Sequence, residues 1–365
     1  MNGPRTLIVG AGLMGTSMGL ALRRAGWPVW LQDSDSRSAA LAADLGAGDL
    51  LPPQGSPELV ILAIPQSSTL LVSIEMNRLY PQATISDLAS VKAKLQAEVE
   101  TNETLRRVFV GGHPLAGRER SGAGAARADL FEGRPWVITA AEDVGRDHVE
   151  VVLSAVRACG ADPVLMHARL HDEAVALVSH APQVVASSMA AQLTGGDPQS
   201  LRLSGQGLRD TVRVAASDPD LWQEILEQNA AAVSAVLRGV VDDLTAVVAA
   251  LDTLGKSTDS QVDKLVNDRA QVRDLLERGR VGHGRIPGKH GTAHVEYATV
   301  PVVIPDRPGA LAALFLAAGE ANVNVEDVHI EHSPGQPVGL VELAVNPSAA
   351  VSLTTHLKQA GWSVH

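Results

Sequence analysis

The residues best suited to chemistry in this 365-residue chain lie in Gly111-Gly112-His113-Pro114-Leu115-Ala116-Gly117-Arg118-Glu119-Arg120-Ser121-Gly122. One imidazole stands between tight glycines and a charged turn. Its ordinary pKa lies nearer neutrality than that of any other side chain, so His113 is a candidate general acid or base. Far upstream, the apolar run Thr6-Leu7-Ile8-Val9 enters Gly10-Ala11-Gly12-Leu13-Met14-Gly15, the G-x-G-x-x-G pattern, and opens an Ala/Leu-rich stretch. In that context Gly10 permits the tight turn, Gly12 lets backbone approach a pyrophosphate and Gly15 packs helix on sheet, while the helix N-terminus supplies N–H groups to the phosphates. Asp33 follows at roughly the 20-residue distance of an acid that holds a ribose. It can accept both ribose hydroxyls and repels a 2′-phosphate, which favours NAD; Arg37 leaves NADP open. Ala63-Ile64-Pro65, closing the apolar run 59–64, is expected beside the same cofactor. A base downstream of a dinucleotide fingerprint describes a nicotinamide enzyme.

Other candidates carry two readings each. Ser90, in Asp87-Leu88-Ala89-Ser90-Val91-Lys92, falls where a strand gives way to a helix, so it is either a helix cap or a group at the ligand-binding edge of the sheet. Ser179-His180-Ala181-Pro182-Gln183 puts a proline inside an amphipathic helix, and the kink frees backbone groups beside His180 and Gln183; such polar residues mark a pocket or a satisfied core. Arg209 and Arg213, at i and i+4, share one helical face, suited to gripping a carboxylate or simply to facing water. Glu119 is a polar turn residue or a gate over the pocket. Cys159 stands alone and is expected to be structural. No metal-ligand set is recognised.

These residues need a scaffold, and the pattern supplies one. Thr6–Val9, Val29–Leu31, Leu59–Ile64, Thr84–Ile85, Val108–Val110, Trp136–Thr139 and Pro163–Met166 read as strands alternating with helical stretches, the pattern of a parallel, doubly wound α/β sheet of Rossmann type over residues 1–166. His113 then ends a strand at the same carboxyl edge as Ser90. Strand signals vanish over 167–282. There Asp218 caps a helix with Pro219 at its first position, and Leu221, Ile225, Val233, Val240, Leu244, Val248 and Leu251 line one stripe, read as a single long helix able to pair with a second subunit. Residues 283–297 read as a linker. The tail, 298–365, reads as β-α-β-β-α-β, a ferredoxin-like module.

Composition narrows the function classes. A formal net charge of −11 argues against nucleic acid and anionic membranes as partners. Aromatics at 3% leave no stacking platform for single strands. One cysteine excludes an internal disulfide and fits a reducing cytosol. The N-terminus shows neither a signal peptide nor a span, so a cytoplasmic location is expected.

Taken together, GAGLMG at 10–15, Asp87–Lys92, Gly111–Gly122, His171-Asp172 with Ser179–Gln183, and Thr211–Pro219 resemble the prephenate dehydrogenase family, in its form with a C-terminal ACT domain. The resemblance implies NAD-dependent oxidative decarboxylation of prephenate to 4-hydroxyphenylpyruvate, in tyrosine biosynthesis. It implies that His113 accepts the proton of the C4 hydroxyl, that Ser90 orients that imidazole, that Arg213 binds a substrate carboxylate, and that His180 helps shape the pocket. Where the family carries a second histidine in S-H-x-P-H, this chain has Gln183, expected to offer its amide to the substrate. Asp306–Leu311 and Asn322–Val325 resemble an ACT ligand loop and second strand, which implies tyrosine as effector near Gly309, Ala310, Leu311, Asn322 and Asn324, and a homodimer. Arogenate as the substrate, a 3-hydroxyacid dehydrogenase and a non-catalytic NAD sensor are the competing readings.

Overall fold

The computed structural model describes residues 3–51, 55–117, 120–255, 262–287, 297–332 and 338–365. Contacts group the chain into two compact units, Met1–Val241 and Asp242–His365. The first is built on β1 (Thr6–Val9), β2 (Val29–Gln32), β3 (Leu59–Leu62), β4 (Thr84–Asp87), β5 (Phe109–Pro114), β6 (Pro135–Ala140) and β7 (Asp162–Leu165), in the order β2-β1-β3-β4-β5-β6-β7. Helices α1 (Leu13–Arg24), α2 (Ser36–Asp44), α3 (Gln66–Leu79), α4 (Ala93–Glu100) and α5 (Arg146–Ala158) cover the sheet. Strands β1 and β3 are buried along their whole length, as a sheet covered on both faces requires. Alternate residues feed two cores: Ile8 and Ile61 join Met18, Leu22, Trp136 and Val156, while Leu7 and Val60 join Met76, Leu95, Val99 and Phe109.

The sheet is not wholly parallel. Strand β6 runs antiparallel to β5, with His113 opposite Val137, and β7 runs parallel to β6. The cause is the β5–β6 connection, whose described residues carry only a short 3₁₀ turn at Ala123–Ala125. A parallel return needs a crossover of a dozen or more residues that packs back as a helix, and the described residues of this Gly-rich, charged stretch form none. The α5 crossover then restores parallel pairing between β6 and β7.

The helical region opens with α6 (Ala168–Val175), a wide π-type turn at Ala176–His180, and α7 (Ala181–Ala191). The expected kink is thus a π-turn just ahead of Pro182, a common insertion at functional sites. By length and apolarity the run Ala168–Gly195 would suffice to cross a membrane. It instead buries His171, Asp172, His180 and Gln183, all bonded to neighbouring elements. There follow α8 (Pro198–Leu201), α9 (Gln206–Val212), α10 (Pro219–Gln228) and α11 (Ala230–Leu254). Asp218 caps α10 by accepting from the Asp220 and Leu221 amides, as the Asp-Pro pair predicts. The single long helix expected over 221–251 is two. It breaks at Asn229, whose backbone leaves the helical region and whose buried side chain is committed elsewhere. Nor do Arg209 and Arg213 share one regular helix: α9 ends at Val212, and Arg213 begins a 3₁₀ turn running to Ala216.

The second unit holds the end of α11, α12 (Val262–His283), and a β-α-β-β-α-β module of β8 (Ala298–Pro305), α13 (Ala310–Glu320), β9 (Val325–His332), β10 (Val338–Val345), α14 (Pro347–Gln359) and β11 (Ser363–Val364). Its sheet is antiparallel in the order β11-β8-β10-β9. Strand β10 alternates buried and half-buried residues, and Val302, Val341, Leu343, Leu314, Leu353 and Leu357 close the core against α13 and α14.

Candidate active site

The β1–α1 turn has the geometry of a phosphate cradle. Gly10 sits at φ +103°, and a Cβ there would stand 2.3 Å from the Ala63 carbonyl oxygen. A Cβ on Gly15 would meet the Gly10 oxygen at 1.9 Å, so α1 packs directly on the turn. Gly12 faces open space, and α1 starts from it without a side-chain cap. The N–H groups of Leu13, Met14 and Gly15 thus begin a helix whose positive end is free to meet an anion. Asp33 is half-buried just beyond β2. Its two oxygens accept from the Ala11 amide at 2.6 Å and the Asp35 amide at 2.8 Å, which holds the carboxylate at the turn with lone pairs to spare for hydroxyls. Arg37 reaches Asp35 at 3.3 Å and is almost wholly exposed. Ala63 follows β3 beside Gly10, its amide donating to the Val9 carbonyl at 2.7 Å, with Ile64 and Pro65 leading into α3. These residues fit a dinucleotide.

His113 lies near the end of β5, buried, and its surroundings explain the two glycines before it. Asp87, at the end of β4, and Lys92, just before α4, form an ion pair whose side chains are 0% and 1% exposed. Asp87 also accepts from the Gly112 and Ala89 amides, each at 3.1 Å. A Cβ on Gly112 would fall 2.7 Å from the Asp87 carbonyl oxygen, and one on Gly111 2.4 Å from Thr139 Oγ1. Only glycine lets β5 run against this pair.

A hydrogen-bonded chain then reaches from α4 to the base. The Asp172 carboxylate accepts from the Lys92 amide at 2.9 Å and the Ala93 amide at 2.8 Å, capping the first turn of α4. It also meets His171 Nδ1 at 2.8 Å, and His171 Nε2 lies 2.8 Å from His113 Nδ1, the two rings edge to face. A carboxylate bearing three donors is an acceptor only, so the proton of its bond to His171 sits on Nδ1. In its neutral form His171 then accepts at Nε2 from His113 Nδ1–H, and the His113 lone pair is left on Nε2. Burial, together with His171, Lys92 and His180, holds the His113 imidazole well below its usual 6.5, so it is neutral at pH 7, the form that takes up a proton. Burial likewise lowers the Lys92 ammonium, against the pull of Asp87 and Asp172.

His180, at the end of the π-turn, is buried and edge-on to Trp222 at 5.9 Å between ring centroids. Its Nδ1 lies 3.1 Å from Asn229 Nδ2, which also donates to the Asp172 carbonyl at 2.8 Å. Burial pushes its pKa down to about 4, with Asp172 pulling the other way.

Ser90 is half-buried, α4 begins three residues later from Lys92, and among the described residues no hydrogen bond joins Ser90 to His113. The partner that orients His113 is His171. Gln183 spends one amide N–H on the Val214 carbonyl at 2.9 Å, tying α7 to the turn that carries exposed Arg213. Glu119 lies outside the described residues. In the second unit Gly309, Ala310 and Leu311 lie at one end of α13, and Asn322 and Asn324 at the other, roughly 16 Å away by helix rise, so one copy does not gather them. Sequence reasoning passed over Asn229, a lone amide in an apolar stripe, and Lys92, read only as part of the Ser90 segment.

Two family models match the chain: the prephenate dehydrogenase nucleotide-binding domain over residues 18–165 and the prephenate dehydrogenase dimerization domain over 167–268. The first match begins beyond Gly15, so the phosphate turn rests on its own geometry. A probable prephenate dehydrogenase of Streptomyces niveus, NovF, is 33% identical over 98% of both chains. A cyclohexadienyl dehydrogenase of Zymomonas mobilis is 32% identical over 65% of this chain and 85% of its own. Among solved structures, the prephenate dehydrogenase of Aquifex aeolicus, in complex with hydroxyphenyl propionate and NAD+, is 28% identical with a TM-score of 0.62, covering 75% of this chain and 98% of the solved one.

Proposed function

The chain belongs to the prephenate dehydrogenase family as an NAD-dependent oxidoreductase, and on that premise we propose that it converts prephenate to 4-hydroxyphenylpyruvate. The observation that carries this reading is the buried His113, its Nδ1 engaged by His171 and through it by Asp172, on the sheet that bears the dinucleotide turn.

Gly10–Gly15 and Asp33 would hold NAD, which when bound would supply a hydride acceptor for C4 of the ring. His113 Nε2 accepts the C4 hydroxyl proton as the C4–H bond breaks. The ring carboxylate leaves as CO2, its bonding pair completes the aromatic ring, and His113 returns its proton to the phenolic oxygen. Prephenate dianion and NAD+ thus give the 4-hydroxyphenylpyruvate anion, CO2 and NADH, balanced in charge and hydrogen. Aromatisation drives the step, so the protein's task is to hold C4, base and cofactor in line. Arg213 stands ready for a substrate carboxylate, its turn pinned by Gln183. Purified protein with NAD is expected to form NADH and CO2 from prephenate. NADH formed from arogenate alone, the amino relative of prephenate, would replace this substrate with the other.

Assembly and control belong to the same proposal. Leu221, Val241, Leu244, Val248 and Leu251 are each more than half exposed in the single chain, and the dimerization-domain match spans them, which supports a homodimer. The β-α-β-β-α-β module supports an ACT-type regulatory role, with tyrosine as effector. Because the two groups of candidate residues sit at opposite ends of α13, one tyrosine touching both would lie between copies. The lone, buried Cys159 fits a reducing cytoplasm.

A further inference from the structure

Asp172 stands at the root of two hydrogen-bonded arms. Its carboxylate leads through His171 to His113 Nδ1; its main-chain carbonyl leads through Asn229 to His180 Nδ1. Among the described residues neither Nε2 has a hydrogen-bond partner. The arms differ in polarity. The first ends on an acceptor, His171 Nε2, which requires a proton on His113 Nδ1. The second ends on a donor, because a carbonyl oxygen can only accept and so turns the Asn229 NH2 group toward itself and toward His180 Nδ1. A donor at that place requires a lone pair on His180 Nδ1 and leaves its proton on Nε2.

We propose that Asp172 sets the two site histidines into opposite neutral tautomers, His113 presenting a bare Nε2 and His180 an Nε2–H, with His171 and Asn229 as the positioning residues that transmit the choice. His113 thereby accepts the substrate hydroxyl proton, and His180 donates to a substrate oxygen, carboxylate or keto. Two identical side chains are given complementary tasks by their partners alone. The break between α10 and α11 has its reason here: Asn229 leaves the helix so that its amide can reach both acceptors.

The proposal rests on the prephenate reading for its chemistry, yet its decisive test needs no substrate. In the full chain labelled with ¹⁵N-histidine at pH 7, His113 is expected in the Nδ1–H form and His180 in the Nε2–H form, the resonances identified by single substitution. The same tautomer at both, or a charged His171 donating to His113, overturns it. If the tautomers are as stated while prephenate is not turned over, the substrate reading fails and this one stands.

Two variants read the consequence. Asn229→Asp replaces the donor by an acceptor and is expected to move the His180 proton to Nδ1 and raise KM for prephenate about 10-fold or more, the scale of losing a supporting partner of a working histidine, with NAD affinity unchanged. His171→Leu is expected to scramble the His113 tautomer and lower kcat by a similar factor. His171→Gln, whose amide oxygen can accept from His113 Nδ1–H, is expected to retain more of it. Equal losses for Leu and Gln in folded protein, or an unmoved His180 tautomer in Asn229→Asp, would contradict the assignment.

Discussion

Lys92→Met removes one charge of a pair that water does not reach. Its side chain is 1% exposed and that of Asp87 0%, so the lost attraction is not made up by solvation. Breaking a buried ion pair from one side costs about 3–5 kcal/mol, because the other charge is left behind. Asp87 keeps the Gly112 and Ala89 amides as donors, which favours the lower end. In a unit of this size each kcal/mol lowers Tm by roughly 2–4 °C, so thermal unfolding is expected about 6–20 °C earlier. Asp87→Asn combined with Lys92→Met, which removes both charges, should recover part of the loss. A second signature appears in activity. The Lys92 charge helps hold the His113 pKa below 6.5, so activity should fall only as pH drops through that lowered value. Without the neighbouring cation the charged imidazole is less disfavoured, its pKa rises, and the acid limb of kcat/KM moves to higher pH. A Tm close to that of the parent and an unmoved acid limb would refute the view that this pair both supports β5 and tunes the base.

Arg213→Ala should raise KM for prephenate by about 10-fold or more through loss of a charge-assisted contact, with NAD affinity unchanged; an unaltered KM in steady-state kinetics would return Arg213 to the solvent. Gln183→Ala should raise KM in the same direction by freeing the Val214 turn, and Gln183→His should leave turnover standing. Asp33→Ser should weaken NAD and improve NADP in binding titrations, whereas a parent that prefers NADP would give the deciding role to Arg37. Tyrosine should inhibit by favouring a less active state, and Asn324→Ala should weaken that inhibition; full inhibition in the variant would place the effector in the active site.

Much of this architecture is legible in short sequence runs, because a strand buried on both faces must be apolar throughout and a cradle for phosphate must be glycine. Thr6–Val9 and Gly10–Gly15 are read on those grounds, and the β-α-β-β-α-β tail on the alternation of its half-buried strands with helical runs. The reversal of β6 is not, since Pro135–Ala140 is equally apolar in either direction and the connection from β5 decides. The break at Asn229 hides in a stripe that continues on both sides of it. The roles of Asp172, His171 and Asn229 depend on partners 80, 58 and 57 residues away, which spacing along the chain does not reveal. Gln183 illustrates the reverse case: a position singled out by comparison with a motif turns out to serve its neighbour's backbone.

The central claim is that His113, neutral and bare at Nε2, is the base in an NAD-dependent oxidation of prephenate. It is tested most directly by NADH formation from prephenate in the parent and in His113→Asn, beside calorimetric titration of NAD into both. Ready turnover is expected in the parent, with a fall of about 100-fold or more in kcat for the variant and equal NAD affinity. Near-parental turnover in His113→Asn would contradict it.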